Sequence, residues 1–269
     1  MKQEKRRHIW VTDLGSCPKK IQYQRTWKLA EEVCQYETYR GTFVHKLFDY
    51  IAKKASIERD RQYWKELYNY SIVPSPFRNT LKRDLPIYEE KIKQFFLDTK
   101  VGREVFKSGI IRIEESLRVP VEDLKWKLTT PLDIQKKYLL TGRPDFRVKK
   151  FILEVKSGSS IKPEHRLQAM AYKELADKAE PNIKHGYKVL CLGAEKLKLT
   201  NVSYRRAWLS FKRKAQLARL LDEAIALREK LEQDPFVEIR PKRNASECAF
   251  CPYHVYCMTW RVSWLRNKI

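Results

Sequence analysis

No apolar run in this sequence approaches the ~20 residues that a membrane-crossing helix needs, which excludes a bilayer span as an organising element. The start, MKQEKRRHIW, carries no apolar signal segment, so the expected location is cytoplasmic and reducing, with no membrane partner. Internal repeats and low-complexity tracts are absent, as is a GxxxxGK[ST] phosphate loop. Acidic side chains are scarce: 33 Asp and Glu stand against 56 Lys and Arg, a net charge of +23 over 269 residues. A soluble chain this basic usually meets polyphosphate. Heat adaptation also enriches lysine, but it raises glutamate alongside, so the imbalance points to nucleic acid. The length is enough for a sizeable core in one large domain or two small ones.

Six cysteines in a reducing compartment do not read as a disulfide framework. Cys248, Cys251 and Cys257 form C-x2-C-x5-C near the end, while Cys17 stands in GSCPKK near the start. Cys191, in YKVLCLG, reads as a small buried residue, and Cys34 is the reserve for Cys17. Four thiolates hold either zinc or an iron–sulfur cluster. Structural zinc sites usually come as two close pairs. Three clustered ligands and one distant one favour an iron–sulfur cluster, [4Fe–4S], over zinc and over four idle thiols. Either metal ties the two ends of the chain together. The expectation is therefore one domain over 1–269, with an N-terminal ligand and helical region (1–109), a sheet core (110–202), and a long helix followed by the cysteine segment (203–269).

Two blocks carry the chemistry: GRPDF at 142–146 and LEVKSG at 153–158, followed by QAMAY at 168–172. Glu154 and Lys156 are two apart, so on a strand they share a face. Asp145 precedes them by enough residues for a turn between neighbouring strands. An Asp and a Glu-x-Lys on strands are often ordinary surface charges. Here Phe151, Leu153 and Val155 alternate with Ile152, so the strand is apolar on both sides and its Glu and Lys are expected to be buried. Buried charges need a partner or a metal. Two carboxylates converging with one ammonium suit metal-assisted phosphodiester hydrolysis. The acids hold Mg²⁺ or Mn²⁺, and the lysine orients water or offsets charge.

The remaining segments supply context. Residues 8–40 mix aromatic and basic side chains, among them Trp10, Lys19, Lys20, Tyr23, Arg25, Trp27, Tyr39 and Arg40. They suit either a helix core or a base-stacking platform. Phe43, Leu47, Phe48 and Ile51 make a helical stripe that contains His45. Residues 56–108 read as helical and charged, broken at PSPF. Strands are expected from 110, in IIRIEESLRVPV, EDLKWKLTT, KKYLLTG, RPDFRVKK and FILEVKS, as a mostly antiparallel sheet. A helix follows from 163 to about 179, with Gln168 and Tyr172 on one face. GYKVLCLG and EKLKLTNV read as a hairpin. A long amphipathic helix spans 203–233, with Leu217, Leu220, Leu221, Ala224, Leu227 and Leu231 inward. Its basic residues Arg205, Arg206, Lys212, Arg213 and Lys214 read as a solvated face or as phosphate contacts.

The order GxxxH (Gly41 to His45), GxxD (Gly142 to Asp145), ExK (Glu154 to Lys156) and QxxxY (Gln168 to Tyr172) resembles the RecB-like branch of the PD-(D/E)xK nucleases. Cys-Pro-Lys-Lys and C-x2-C-x5-C resemble its iron–sulfur members, which include the CRISPR-associated Cas four nucleases and exonuclease V. The resemblance implies an α/β, restriction-endonuclease-like core: a mixed central sheet flanked by helices, with the cluster joining the N- and C-terminal segments. It implies His45, Asp145, Glu154 and the Val155 carbonyl as metal ligands, and Lys156 positioning the water. Gln168 and Tyr172 would support the lysine and the DNA backbone, and Cys17, Cys248, Cys251 and Cys257 would hold the cluster. Glu115, or its neighbour Glu114, is a candidate further acid. The implied activity is a Mg²⁺- or Mn²⁺-dependent exonuclease on single-stranded DNA, 5′ to 3′, with endonuclease activity as an accompaniment. In a CRISPR setting it implies integrase proteins as partners. An exonuclease-V-like or viral recombination enzyme is the alternative, and a non-catalytic iron–sulfur DNA-binding protein is the rival from another class. Three departures stand out: valine sits between Glu154 and Lys156 where an aromatic is frequent, the segment 46–110 is longer and more charged than in the compact members, and the sequence has no GxxxxGK[ST] motif, so the helicase half of some relatives is not expected in it.

Overall fold

A computed structural model describes residues 6–28, 36–54, 75–107, 112–113, 115–148, 151–157, 160–183, 185–192, 197–201, 207–242, 248, 251–254 and 256–257. Cys34, Glu114, Arg205 and Arg206 lie outside the described residues.

Among the described residues, eight strands form two sheets. A three-stranded sheet runs β1 (Arg7–Trp10), β4 (Tyr138–Gly142), β3 (Leu117–Pro120). A five-stranded sheet runs β2 (Arg112–Ile113), β5 (Phe146–Val148), β6 (Phe151–Lys156), β7 (Gly186–Leu192), β8 (Leu197–Asn201). The larger sheet is antiparallel except where β6 and β7 run parallel. Parallel neighbours need a crossover, and the Pro163–Ala179 helix supplies it. β1 pairs parallel with β4. The sequence reading missed that strand, because RHIW is too short and too polar to announce itself against the basic residues around it.

The core of the large sheet follows from the alternation in β6. Phe151, Leu153 and Val155 point to one side, where they pack on Val44, Leu47, Phe48 and Ile51 of the Tyr36–Lys54 helix and on the Ser75–Asp98 helix. Phe48 is fully buried, with its ring 4.6 Å from that of Phe146. Burying a side chain of this size contributes about 1.5–3 kcal/mol. The contact fixes the helix one turn beyond His45 against the strand that begins after Asp145. On the opposite side Ile152 joins a second core with Met170, Ala171, Tyr172 and Leu175 of the 163–179 helix and Leu217 and Leu221 of the Ala207–Gln233 helix. Leu217, Leu221, Ala224 and Leu231 of the expected stripe are buried, while Leu220 and Leu227 are half-buried.

The segment EDLKWKLTT, expected as a strand, forms no strand. The Asp222 carboxylate explains why. It accepts the Thr129 and Thr130 amides at 2.9 and 3.0 Å and their hydroxyls at 2.8 and 2.6 Å. Those amides are therefore committed to the long helix and not to a ladder. Trp126 inserts into the core beside them.

Candidate active site and thiol cluster

Asp145 stands in the turn between β4 and β5, and the register of β5 with β6 sets it opposite Glu154. Its Oδ2 accepts the Val155 amide at 2.7 Å. Its Oδ1 lies 3.3 Å from Nδ1 of His45, which stands on the 36–54 helix. Glu154 is 2% exposed, and its Oε1 accepts the Lys156 ammonium at 2.6 Å. Its second oxygen, Oε2, is buried without a hydrogen-bond partner. Burial, and then the Asp145 charge, push the Glu154 carboxyl up to about 7, against the opposing pull of Lys156. Burial lowers the Lys156 ammonium, but the charges of Glu154 and Asp145 outweigh it and hold the group above the ordinary lysine value. Lys156 is thus a cation at neutral pH and not a free base. His45 follows the same pattern: burial lowers it, and the hydrogen bond and charge of Asp145 raise it further.

Gln168 Nε2 donates to the Tyr172 hydroxyl at 3.0 Å. Tyr172 is buried, and burial followed by the Glu154 charge keeps its phenol protonated far above the ordinary value. Its ring lies on Gly142: a Cβ there would fall 2.6 Å from two ring carbons and 2.9 Å from Leu175 Cδ1. Gly142→Ala is therefore expected to cost about 1–3 kcal/mol of stability through overpacking and to tilt Tyr172 away from Glu154. Urea denaturation checks the first effect. An unchanged midpoint would mean that the ring yields freely.

Five of the predicted residues, His45, Asp145, Glu154, Lys156 and Tyr172, converge, with Gln168 bonded to the last. Glu115 does not join them. Its carboxylate forms an ion pair with Arg147 at 2.6 Å, and Arg147, buried on β5, also pairs with Glu180 at 2.9 Å. The buried arginine claims the acid that the sequence reading held in reserve. His165 was overlooked. It lies one turn ahead of Gln168, its Nδ1 accepts the Lys162 amide at 3.3 Å, and burial and then the Lys156 charge push it down to about 4. Its i, i+3, i+7 spacing with Gln168 and Tyr172 was the available signal.

Among the cysteines, the Lys242 amide donates to Cys17 Sγ at 3.3 Å, and Cys248 Sγ lies 3.9 Å from the Lys242 carbonyl. The Cys251 amide donates to the Cys248 carbonyl at 3.2 Å, and the Cys257 amide to the Tyr253 carbonyl at 3.1 Å. Burial pushes the Cys251 and Cys257 thiols up, with Cys17 adding to both. Cys17, Cys191, Cys248, Cys251 and Cys257 are all free thiols, and Cys191 is buried in β7 as expected. Among the described residues no three His, Cys, Asp or Glu side chains stand as a ready-made cage for a metal ion.

Of the aromatic side chains described in the 8–40 segment, Tyr23 is core, while Trp10, Trp27 and Tyr39 are half-buried. Tyr23 is buried and meets the rings of Trp27, Tyr253 and Tyr256 at 5.4, 5.8 and 5.9 Å. Arg25 pairs with Asp13 and covers Trp10. On the long helix Arg213 donates to the Tyr187 hydroxyl and Lys214 pairs with Glu174, while Lys212 is exposed.

This chain belongs to the PD-(D/E)XK nuclease superfamily, whose family description matches residues 11–258. Membership carries a class of activity, metal-dependent nuclease chemistry, with DNA as substrate. A search of curated proteins finds no match. Among solved structures, a crystal structure of SSO0001 is similar at 16% identity and a TM-score of 0.45, covering 95% of this chain and 86% of that one. No helix among the described residues is long and apolar enough to cross a membrane.

Proposed function

We propose that the chain is an iron–sulfur, RecB-like nuclease that degrades single-stranded DNA from its ends, Cas-four-like in its role of trimming DNA for CRISPR spacer acquisition with integrase partners. The observation that carries the nuclease part is the unpartnered, buried Oε2 of Glu154, beside Asp145 and within reach of the Lys156 charge. A buried carboxylate oxygen without a donor fits a cation site, and oxygen ligands suit Mg²⁺ or Mn²⁺. Asp145, Glu154, His45 and the Val155 carbonyl would hold the ion. When bound, it supplies Lewis-acid activation of the phosphate and a lower pKa for the attacking water. Lys156, held charged by its two acids, orients that water and offsets charge on the phosphate. Tyr172, whose hydroxyl accepts from Gln168, would with it support the lysine and the DNA backbone.

The cluster reading is supported by the chemistry of the donor set: the free Cys17, from one end of the chain, acts electrostatically on the Cys251 and Cys257 thiols from the other, and the Lys242 amide donates to Cys17 Sγ. Amide donors to sulfur are among the features that tune an iron–sulfur centre. In this reading Cys17, Cys248, Cys251 and Cys257 hold a [4Fe–4S] cluster that closes the molecule. The 5′ to 3′ polarity and the CRISPR role rest on resemblance.

The test is anaerobic purification with an iron count, then cleavage of end-labelled single-stranded DNA with Mg²⁺ or Mn²⁺. About four irons per chain and metal-dependent shortening from one end are expected. Binding should weaken with salt at a slope of about −0.7 per phosphate contacted. A colourless zinc protein would refute the cluster, and a salt-insensitive, inactive protein would refute the nuclease.

A further inference from the structure

Lys19 follows Cys17 in the short Pro18–Ile21 helix, yet it cannot serve as a phosphate contact. It is 2% exposed. An ammonium that deep is costly unless its surroundings favour a cation. Those surroundings do. Lys19 Nζ donates to Gln22 Oε1 at 2.8 Å and lies over the rings of Tyr23 and Trp27, 5.1 and 5.0 Å from their centroids. An amide oxygen and two aromatic faces are partners for positive charge. The orientation of Gln22 is forced, because its Nε2 donates to the Pro235 and Val237 carbonyls at 3.1 and 3.0 Å, leaving Oε1 for the lysine. Trp27 is pinned to the same segment, its Nε1 donating to the Pro235 carbonyl at 2.9 Å. Burial lowers this ammonium from the ordinary lysine value, and Cys257, Glu238 and Cys17 pull in the opposite direction.

We infer that Lys19 is the buried counter-ion of the four-cysteine centre, and that its fixed charge sets how readily the centre accepts an electron. This rests on the iron–sulfur reading above. Four thiolates leave such a cluster net negative, and one-electron reduction adds a further negative charge. A nearby ammonium in a low-dielectric surround favours the more negative state. Gln22, Tyr23 and Trp27 act by positioning that ammonium, and they lock it to the segment that leads into the C-terminal cysteines.

The experiment compares full-length wild type with Lys19→Met, Lys19→Gln and Lys19→Arg, each purified anaerobically. Iron per chain, thermal unfolding and the midpoint of a mediated redox titration are recorded for each. The neutral variants should keep iron and show a reduction equilibrium at least tenfold less favourable, a midpoint more negative by about 59 mV or more for one electron. Lys19→Arg should stay near wild type. An iron-loaded neutral variant with an unmoved midpoint overturns the inference and leaves the cluster reading intact. Equal shifts in the neutral variants and Lys19→Arg would also overturn it, since packing and not charge would then be the cause. So would failure of both neutral variants to fold while Lys19→Arg folds. A wild type without iron fails at the cluster reading itself.

Discussion

Asp145→Asn is expected to lower cleavage of single-stranded DNA by about 10³-fold or more, while leaving DNA affinity within about threefold. A loss of that size is about 4 kcal/mol of transition-state stabilisation, in keeping with the several kcal/mol that a catalytic cation contributes. Asparagine keeps an oxygen for the Val155 amide, which the aspartate now holds at 2.7 Å, so the turn between β4 and β5 should survive. What goes is one negative charge in a site where the neighbouring acid is already buried. Asp145→Ala should be at least as inactive, with some added loss of stability. Glu115→Gln is the informative contrast. Its carboxylate serves Arg147, which Glu180 also holds, and cleavage should fall by no more than about threefold. Single-turnover kinetics and a binding titration in Ca²⁺ separate chemistry from affinity. Full activity in Asp145→Asn, or an Asp145-like collapse in Glu115→Gln, would remove the site from where we place it.

The legibility of this site in the sequence has a simple physical basis. Glu154 and Lys156 interrupt a strand apolar on both faces, and charge placed where burial is costly is a conspicuous signal. The helices at 163–179 and 207–233 were legible for the complementary reason: their apolar periodicity is long enough to be unambiguous. What the sequence hid is what depends on long-range partners. Nothing near Asp222 announces that it will hold Thr129 and Thr130. Nothing near Glu115 announces a buried Arg147. Lys19 is the sharpest instance. By type and neighbourhood it reads as a phosphate contact. Its burial follows from Gln22, Tyr23 and Trp27 closing over it, with Gln22 and Trp27 anchored to a segment more than 200 positions away. The base-stacking reading of Tyr23 yields to the core reading for the same reason.

Apparent affinity for Mg²⁺ is expected to be level above about pH 7 and to fall by up to about tenfold for each pH unit below it, one proton being exchanged for the ion. The sign follows from Glu154. In the metal-free protein burial and the Asp145 charge lift its carboxyl from 4.5 to about 7. Below that value the folded chain holds a proton on Glu154, which a cation must displace. Above it the carboxylate is bare, and the ion meets no competitor. The same shift governs stability. A carboxyl raised by folding makes its stabilising contribution below its unfolded value of 4.5 and loses it as pH climbs through about 7. A cation that binds the folded state restores what is lost there. Added Mg²⁺ should therefore raise the thermal midpoint more at pH 8 than at pH 5.5. Calorimetric titrations across that range would read the affinity directly. Glu154→Gln should weaken binding and flatten its pH dependence together. Lys156→Met, which removes a charge that now holds the carboxyl down, should move the break to higher pH. A break that survives Glu154→Gln would assign the proton to another group, with His45, bonded to Asp145 at 3.3 Å, the next to test. A flat profile in the wild type would mean that Glu154 is ionised throughout, and that its free oxygen is not where the cation binds.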